Sequence, residues 1–566
     1  MIEKTEVRMT LNDILDSSCA KFGNLPALGT AMEKPLTYNE LRGSIFSLAT
    51  YMFSRVGIKK GDHVAILAEN SKNWAIAYFA VIRLGAVVVP ILPDFPEGDV
   101  NLILSEMKVK ALFITHPQIE KIYDLQNTLA CIISLDDFAG VEDVFEVRPF
   151  SECIELASFF PKEQSITFPE VVEDDLASII YTSGTTGFSK AVMLTHKNLS
   201  SSAHSAVDLG FEKFQPGDVL LSILPMSHTY EFTCGLIAPL LKGCKIAYAG
   251  QSPTPAILQK LCQHEKPALI LTVPLVFEKI YKKRVLPKIE KSRAVSLLCK
   301  TGFGRRLVYK RIGAKLMEFF GGNLKFIAIG GASLNPVVEG FLFEAKFPYV
   351  IGYGMTEAAP MIACFPFGDP TNVPGSTGKP MPGVQVKIND SDPANGIGEI
   401  VVRGPNVMQG YYNDIEKTKE TITNDGWLLT GDLGFIDEFG NIHIRGRSKN
   451  VIVMANGENV YPEGIEHEIN VYNWVVESLI VENDGKLEAW VYPDYEFIDE
   501  QTAYQPRTRR HEHLVELMET MRSEINGQLP KASRIARVCE RREPFVKTAT
   551  HKIKRYFAPK GNISCM

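Results

Sequence analysis

The chain has 566 residues, more than one hydrophobic core usually organises, so we expect at least two domains. A hydrophobic share of 45%, a charged share of 22% and a net charge of −6 are ordinary globular values, and none of them suggests a nucleic-acid partner. The ten cysteines form no CxxC pair, so the sequence indicates neither a zinc site nor a disulfide framework and fits a reducing cytoplasm. No apolar run approaches ~20 residues, which argues against a membrane-spanning helix.

From residue 11 to about residue 250, short apolar runs alternate with helix-like stretches such as 74–84. This alternation predicts an α/β fold with largely parallel, buried strands. The predicted strands include residues 63–67, 86–92, 176–180, 268–272 and 324–330. After residue 375 the apolar runs shorten and turn signals become frequent, which predicts a small antiparallel sheet or barrel.

A hydroxyl-rich loop, YTSGTTGFSK at 181–190, follows the predicted strand 176–180. Its glycines let the backbone approach an anion, successive N–H groups can point at that anion, and Lys190 adds a positive charge. The spacing of the glycines does not match the Walker pattern. The loop therefore predicts a phosphate site of another kind, with an ordinary polar turn as the alternative. The candidate phosphate-binding residues are Thr182, Ser183, Gly184, Thr185, Thr186, Gly187 and Lys190.

This loop resembles the phosphate loop of the adenylate-forming superfamily, which includes acyl-CoA synthetases, luciferases and nonribosomal adenylation domains. Ser189 stands where that family usually has proline, and Ala191 where it usually has glycine. The resemblance extends from about residue 10 to residue 556. It implies a large N-terminal domain, residues 1–446, of stacked mixed and parallel sheets with flanking helices and a small β-barrel-like subdomain. A small, mobile α+β C-terminal domain, residues 447–566, would be hinged to it.

Two further segments resemble the nucleotide site of this superfamily. IGGASL at 329–334 is similar to the segment that lines the adenine pocket, and GYGMTE at 352–357 is similar to the family's YGxTE. The resemblance implies that Tyr353 stacks on adenine, Thr356 bonds a phosphate oxygen and Glu357 holds Mg²⁺, a hard cation that prefers carboxylate and phosphate oxygen. It also places in the pocket the small residues Gly331, Ala332, Ser333, Gly352 and Gly354.

DGWLLTGDLG at 425–434 resembles the fatty acyl-CoA synthetase signature. The resemblance implies that Asp432 accepts both ribose hydroxyls, as an acceptor-only carboxylate can, and that Arg447 also reaches the ribose. Lys449 would be the hinge residue whose backbone torsions change as the small domain rotates.

PFVKTATHKIKR at 544–555 resembles the family's PKTxxGKxxR and implies that Lys552 is the lysine of the adenylation step. His551 replaces the usual glycine and Val546 the usual proline. A solvated basic run is the alternative for this segment taken alone. With Lys190, Thr356 and His228, Lys552 completes the set of predicted catalytic residues.

LPMSHTYE at 224–231 resembles a segment in which the histidine, here His228, lies where the acyl and thiol tunnels meet; a satisfied core histidine is the alternative. Together with residues 273–281, Glu231 favours the long-chain acyl-CoA synthetase branch. The implied reaction activates a medium- to long-chain fatty acid with ATP and Mg²⁺ and transfers it to CoA. The alternatives are an acyl carrier protein as acceptor, an acyl-AMP ligase, and a catalytically silent acyl or nucleotide binder.

Residues 282–316 hold twelve Lys and Arg against one acid, Glu290, with apolar residues between them. A solvated basic helix pair is one interpretation. The other is a peripheral contact with an anionic membrane, which attracts basic segments by ~1 kcal/mol per charge. On this second interpretation the protein is cytoplasmic and peripheral on the inner face of the membrane.

Overall fold

The computed structural model describes residues 10–125, 129, 131–138, 146–157, 167–182, 190–250, 253–290, 292–366, 368–393, 395–454, 457–503, 507–548, 552–555 and 563–565. Their strands are, in chain order, β1 (Pro26–Thr30), β2 (Leu36–Thr37), β3 (His63–Leu67), β4 (Val87–Ile91), β5 (Ala111–Ile114), β6 (Ile132–Ser134), β7 (Val147–Pro149), β8 (Leu176–Thr182), β9 (Lys190–Thr195), β10 (Val219–Ser222), β11 (Lys245–Tyr248), β12 (Leu269–Thr272), β13 (Phe326–Ile329), β14 (Tyr349–Gly354), β15 (Met361–Cys364), β16 (Lys379–Pro380), β17 (Gln385–Asn389), β18 (Gly398–Arg403), β19 (Gly410–Tyr411), β20 (Leu428–Ile436), β21 (Ile442–Arg447), β22 (Ile452–Val453), β23 (Asn459–Val460), β24 (Val475–Asn483), β25 (Lys486–Pro493), β26 (Ile535–Arg541) and β27 (Ile563–Cys565).

The α-helices of the same residues are α1 (Leu11–Phe22), α2 (Tyr38–Tyr51), α3 (Lys72–Arg83), α4 (Glu97–Met107), α5 (Phe150–Ala157), α6 (His196–Gly210), α7 (Ala238–Leu241), α8 (Pro255–Glu265), α9 (Pro274–Ile280), α10 (Leu286–Glu290), α11 (Arg293–Cys299), α12 (Gly302–Phe319), α13 (Pro336–Glu344), α14 (Ile415–Thr421), α15 (Pro462–Ile469), α16 (Tyr495–Thr502) and α17 (Arg507–Asn526). Single π-helical turns occur at Met52–Val56, Glu231–Ile237 and Tyr281–Val285.

Two large sheets form the N-terminal part. In the described residues one has the order β16-β15-β14-β13-β12-β10-β11-β1-β2 and the other β19-β9-β8-β4-β3-β5-β6-β7. The strands from β11 to β14 pair in parallel, as do β3, β4 and β5. Helix α3 is buried from Trp74 to Ile82, and one core cluster includes residues of both sheets, such as Val64 and Leu220. The predicted fold of stacked mixed and parallel sheets with flanking helices is confirmed.

The expected small antiparallel sheet is also present, with the order β17-β18-β20-β21. Its last two strands pair so that Asp432 lies opposite Arg447. The polar pair predicted at the ribose is therefore brought together by the register of a hairpin and needs no flexible loop.

The chain after β21 forms its own sheet, β24-β25-β26-β27, and its own core. Helix α17 packs in that core through residues such as Met518 and Met521, beside Trp474 and Ile535. This core cluster contains only residues from Ile452 onward. The domain boundary after residue 446 remains a prediction, and strand β21 itself runs on to Arg447.

The cysteines depart from expectation at one position. Cys539 is disulfide-bonded, which the spacing of the cysteines did not indicate. The free thiols of the described residues are Cys19, Cys131, Cys153, Cys234, Cys244, Cys262, Cys299 and Cys364. Across the part of the chain that the structure describes, no helix is both long and apolar enough to cross a membrane.

Candidate active site

The predicted phosphate loop joins two antiparallel strands. Thr182, at the end of β8, pairs with Lys190, at the start of β9. Helix α6 begins only after β9, with Thr195 as its N-cap. The hairpin thus fixes both ends of the loop against each other. The predicted binding residues Ser183, Gly184, Thr185, Thr186 and Gly187 lie outside the described residues.

Lys190 and Glu357 are connected through a tyrosine. The Lys190 ammonium lies 3.3 Å from the Tyr411 hydroxyl and 4.8 Å from the centre of its ring. The same hydroxyl donates to the Glu357 carboxylate at 2.9 Å. Burial lowers the pKa of Lys190, and the negative charge of Glu357 opposes that shift. A cation and a carboxylate are therefore held on either side of one phenol group, where a triphosphate and its metal ion would need them.

The two residues predicted at the ribose bind each other. Asp432 is buried and accepts a hydrogen bond from the Tyr353 hydroxyl at 2.8 Å. Its other oxygen lies 2.8 Å from Nε of Arg447. The Asp432 charge raises the pKa of Arg447 further. Tyr353, predicted to stack on adenine, is thereby fixed beside the predicted ribose site.

Lys552 belongs to the same group of charges although it lies 105 positions after Arg447 in the printed sequence. Burial and the positive charge of Arg447 lower its pKa, while Asp432 and Glu357 act in the opposite direction. Its side chain nevertheless keeps a solvent-exposed surface. The backbone is held by mutual bonds with Thr548, whose N–H donates to the Lys552 carbonyl at 2.8 Å and whose hydroxyl accepts from the Lys552 N–H at 3.2 Å.

The charge of Lys552 also acts on His228. Burial, and to a smaller extent the Lys552 charge, lower the pKa of His228 to about 4. Its Nδ1 accepts a hydrogen bond from the Tyr230 N–H at 3.3 Å. A neutral ring with Nδ1 so occupied carries its proton on Nε2 and presents a donor there.

Of the small residues predicted for the nucleotide pocket, Gly331, Ala332 and Ser333 follow β13, whereas Gly352 and Gly354 lie within β14. Gly331 has φ +84°, a conformation that favours glycine, and a side chain at Gly354 would lie 1.9 Å from the carbonyl oxygen of Pro360. Ala332 and Ser333 are exposed, and a side chain at Gly352 would meet nothing nearer than 4.0 Å. Thr356 begins the short helical turn that carries Glu357. Backbone packing therefore requires glycine at Gly354, while the side chains of Ala332 and Ser333 face solvent.

A magnesium ion fits this site only together with phosphate. Within the described ranges, no group of three or more His, Cys, Asp or Glu could hold a metal ion. Mg²⁺ commonly takes one or two carboxylates and completes its shell with water and substrate phosphate. Glu357, buried and already fixed by Tyr411, suits that arrangement.

Tyr411 was not predicted from the sequence. It lies in the two-residue strand β19, which pairs with Val192 and Met193 of β9. Such a pairing joins residues more than two hundred positions apart, and no local pattern announces it. The only available signal was a tyrosine directly after Gly410.

Comparison with known proteins agrees with this geometry. The family model described as AMP-binding enzyme matches residues 15–412. The chain belongs to the AMP-binding enzyme family. Among solved structures, ATP-bound MatB from Rhodopseudomonas palustris matches this AMP-binding enzyme with a TM-score of 0.76 at 24% identity, covering 97% of this chain and 98% of that one. At that identity the match shows the fold.

Curated relatives of this AMP-binding enzyme include several CoA ligases. Peroxisomal long chain acyl-CoA synthetase 6 of Arabidopsis thaliana is 30% identical over 502 residues, 82% of this chain and 69% of that protein. A long-chain-fatty-acid–CoA ligase of Bacillus subtilis (strain 168) is 26% identical over 500 residues, 83% and 82% of the two chains. A 3-[(3aS,4S,7aS)-7a-methyl-1,5-dioxo-octahydro-1H-inden-4-yl]propanoyl:CoA ligase of Rhodococcus jostii (strain RHA1) is 29% identical over 489 residues, 84% and 86%.

Proposed function

We propose that the protein activates a medium- to long-chain fatty acid with ATP, forming acyl-adenylate and diphosphate, and then transfers the acyl group to CoA with release of AMP. The observation that carries this proposal is the position of Lys552. Its pKa responds to Arg447, Asp432 and Glu357, and its charge in turn lowers the pKa of His228. One lysine of the C-terminal part thus interacts electrostatically with the predicted nucleotide residues and with the histidine predicted where acyl group and thiol meet.

In the first step a carboxylate oxygen bonds to the α-phosphorus of ATP while the bond to diphosphate breaks. Negative charge concentrates on the phosphate oxygens, so positioning and fixed positive charge provide the catalysis. Lys190 would stabilise charge on the side of the phosphate loop and Lys552 from the opposite domain. Mg²⁺, held by Glu357 when bound, supplies further positive charge to the phosphates.

In the second step the CoA sulfur bonds to the acyl carbon while the bond from that carbon to AMP breaks, and the thiol proton passes to water. His228 is neutral above a pKa of about 4 and presents Nε2–H. It can donate to the acyl oxygen but cannot take the thiol proton at that nitrogen. We therefore assign His228 a positioning role at the reacting acyl group.

The segment after β21 suits the predicted hinge. Lys449 lies in the single turn Ser448–Asn450, next to Arg447 of the charged group. The Asn450 amide donates to the Glu463 carboxylate of α15 at 2.6 Å, which fixes the far side of the turn. We propose that the domains divide after residue 446 and that rotation about Lys449 exchanges the two half-reactions.

The proposal also specifies which acid is activated and which acceptor receives the acyl group. The names of two relatives support a long-chain fatty acid, whereas the Rhodococcus relative is named for a dioxo ring acid. The decisive experiment measures AMP and diphosphate release over a series of acid chain lengths, with CoA or acyl carrier protein as acceptor. Acyl-CoA formed in step with AMP supports the proposal. AMP release that requires the carrier protein, acyl-adenylate as the end product, or no nucleotide turnover would each favour one of the alternatives.

A membrane contact through α11 and α12 completes the proposed function. Helix α11 buries none of its residues, and the exposed fractions of Leu297 and Phe303 are 68% and 77%. Leu298 and Leu307 are also exposed. Six neighbouring cations form no ion pair with an acid in the described residues. They are Arg293, Lys300, Arg306, Lys310, Arg311 and Lys315. An apolar tip within a basic surface matches the headgroup region of an anionic bilayer.

Part of the predicted basic segment has another role. Lys282 donates to the Val475 carbonyl at 2.9 Å, Arg284 lies 4.6 Å above the Phe319 ring, and Arg305 pairs with Glu344 at 2.7 Å. These three side chains are used within the protein. The proposed membrane surface is therefore residues 293–315 without Arg305, rather than all of 282–316.

Co-sedimentation with vesicles tests this surface. The protein should pellet with anionic vesicles and less with neutral ones, and Phe303→Ser should weaken pelleting. Phe439→Ser is the matched control, because Phe439 is 53% exposed on a separate turn. Raising the salt from ~0.1 M to ~1 M shortens the screening length from ~10 Å to ~3 Å and should reduce binding. Equal pelleting with both vesicle types, or with neither, would contradict the contact.

A further inference from the structure

Glu231 has a position that the proposed reaction leaves unexplained. Its side chain is 1% exposed, and among the described residues neither carboxyl oxygen has a hydrogen-bond partner. The Ser222 hydroxyl is close enough to influence Glu231, yet its geometry falls short of a hydrogen bond. Buried polar groups are nearly always paired, so an orphaned carboxyl group calls for a partner that the chain does not supply.

Local structure places this carboxyl close to the predicted reaction centre. Glu231 follows His228 by three residues and begins the π-helical turn Glu231–Ile237, a rare geometry that is frequent at functional sites. Gly235 makes room for it, since a side chain there would lie 2.9 Å from the Glu231 carboxyl. The segment follows β10, at the carboxyl edge of parallel strands where α/β proteins bind ligands.

Other hydroxyl groups of this region are also buried without a hydrogen-bond partner in the described residues. Tyr248 ends β11 and pairs in register with Ser222 of β10, and its buried hydroxyl has no partner in the described residues. Burial and the nearby Glu231 both raise the pKa of Tyr248. The hydroxyl groups of Thr229 and Tyr230 are buried and unpaired as well. Tyr248 and the two residues that precede Glu231 in the chain thus also carry polar atoms without protein partners in the described residues.

The carboxyl is suited to a neutral ligand. Burial raises the pKa of Glu231 to about 8, so it holds its proton at neutral pH. In that state it can donate one hydrogen bond and accept others. Among the described residues no cation pairs with it, and its surroundings are largely apolar, including Phe232 and Leu271. Such a site favours an uncharged oxygen group over a second carboxylate or a cation.

We infer that Glu231 and Tyr248 form a polar subsite of the acyl pocket that binds a hydroxyl or oxo group on the substrate chain. The inference rests on the proposed function, because it takes the residues beside His228 to line the acyl pocket. A plain alkyl chain would leave Glu231 and Tyr248 unpaired. A substituted chain would satisfy them, and sites built to hydrogen-bond a substrate group discriminate strongly against analogues that lack it.

The test compares acids of one chain length, unsubstituted or with an oxo or hydroxyl group at successive carbons, by kcat/KM for acyl-CoA formation. The wild type should prefer one position of substitution by ~10- to 100-fold over the plain acid. Glu231→Gln keeps the shape and both hydrogen-bonding functions and should retain the preference. Glu231→Met, apolar and similar in volume, should abolish it.

Tyr248→Phe removes a single hydroxyl group and provides a second variant with less risk to folding; it should reduce the preference several-fold. No preference in the wild type at any position, or an equal loss of activity on plain and substituted acids in both variants, would overturn the inference. Those results leave turnover of plain acids in place. If instead no acid yields AMP and acyl-CoA, the proposed function itself fails.

Discussion

Replacing Lys552 by alanine should separate the two half-reactions. The charges of Arg447, Asp432 and Glu357 all act on the Lys552 ammonium and influence its pKa. A unit charge about 4 Å from the developing phosphate charge contributes roughly 4 kcal/mol at an effective dielectric constant of about 20. Each ~1.4 kcal/mol changes a rate tenfold, so the loss should approach ~10³. Mutations of single stabilising donors give a similar range, ~10²–10³.

The assay is single turnover with labelled ATP for acyl-adenylate formation, and supplied acyl-adenylate with CoA for thioester formation. Lys552→Ala should lose the first activity and keep the second. Lys531→Ala is the control, because Lys531 is an exposed lysine of the C-terminal part in the turn Lys531–Ser533. Equal loss of both activities in a folded Lys552→Ala protein would refute the role given to its charge.

The other predictions concern the metal, the hinge and the buried acid. Glu357→Gln should cut adenylation severely and shift its Mg²⁺ dependence upward; an unchanged Mg²⁺ titration would exclude the assigned role. Lys449→Pro fixes φ at the hinge and should form acyl-adenylate but transfer it slowly in the same single-turnover assays. Tyr411→Phe frees Lys190 and Glu357 from their common partner, and should raise KM for ATP more than it lowers kcat. Glu231 keeps its proton in the folded protein up to its pKa of about 8, whereas in the unfolded chain it loses the proton near pH 4.5. The contribution of Glu231 to stability is therefore lost as pH rises through that window. The melting temperature of Glu231→Gln should rise relative to that of the wild type over the same pH range.

Much of the fold follows from local pattern. Buried strands such as β3 and β12 are continuous apolar runs, and α3 has the length and periodicity of a helix, so their sequences specify them directly. A small antiparallel sheet was predicted after residue 375, but not the pairing of β20 with β21, whose register brings Asp432 opposite Arg447. Strand β9 was not predicted, because its pairing with β8 depends on the loop between them.

The remaining features depend on contacts between distant segments. Tyr411 reaches Lys190 only through the pairing of β19 with β9. The unpaired carboxyl of Glu231 could not be predicted, because its neighbours in the sequence do not show whether the folded protein provides a hydrogen-bond partner. The number of charges in 282–316 likewise does not show which of its cations bind within the protein. In the structure Arg305 pairs with Glu344, and Lys282 donates to the backbone carbonyl of Val475.

The most direct test of the account is isotope exchange between ATP and labelled diphosphate, measured with fatty acid and Mg²⁺ but without CoA. Formation of acyl-adenylate is reversible and needs no thiol, so exchange should occur, should depend on the acid, and should be lost in Lys552→Ala. Addition of CoA should then produce acyl-CoA and AMP in equal amounts. Absence of exchange until CoA is added, or release of ADP in place of AMP, would contradict an adenylate-forming mechanism for this chain.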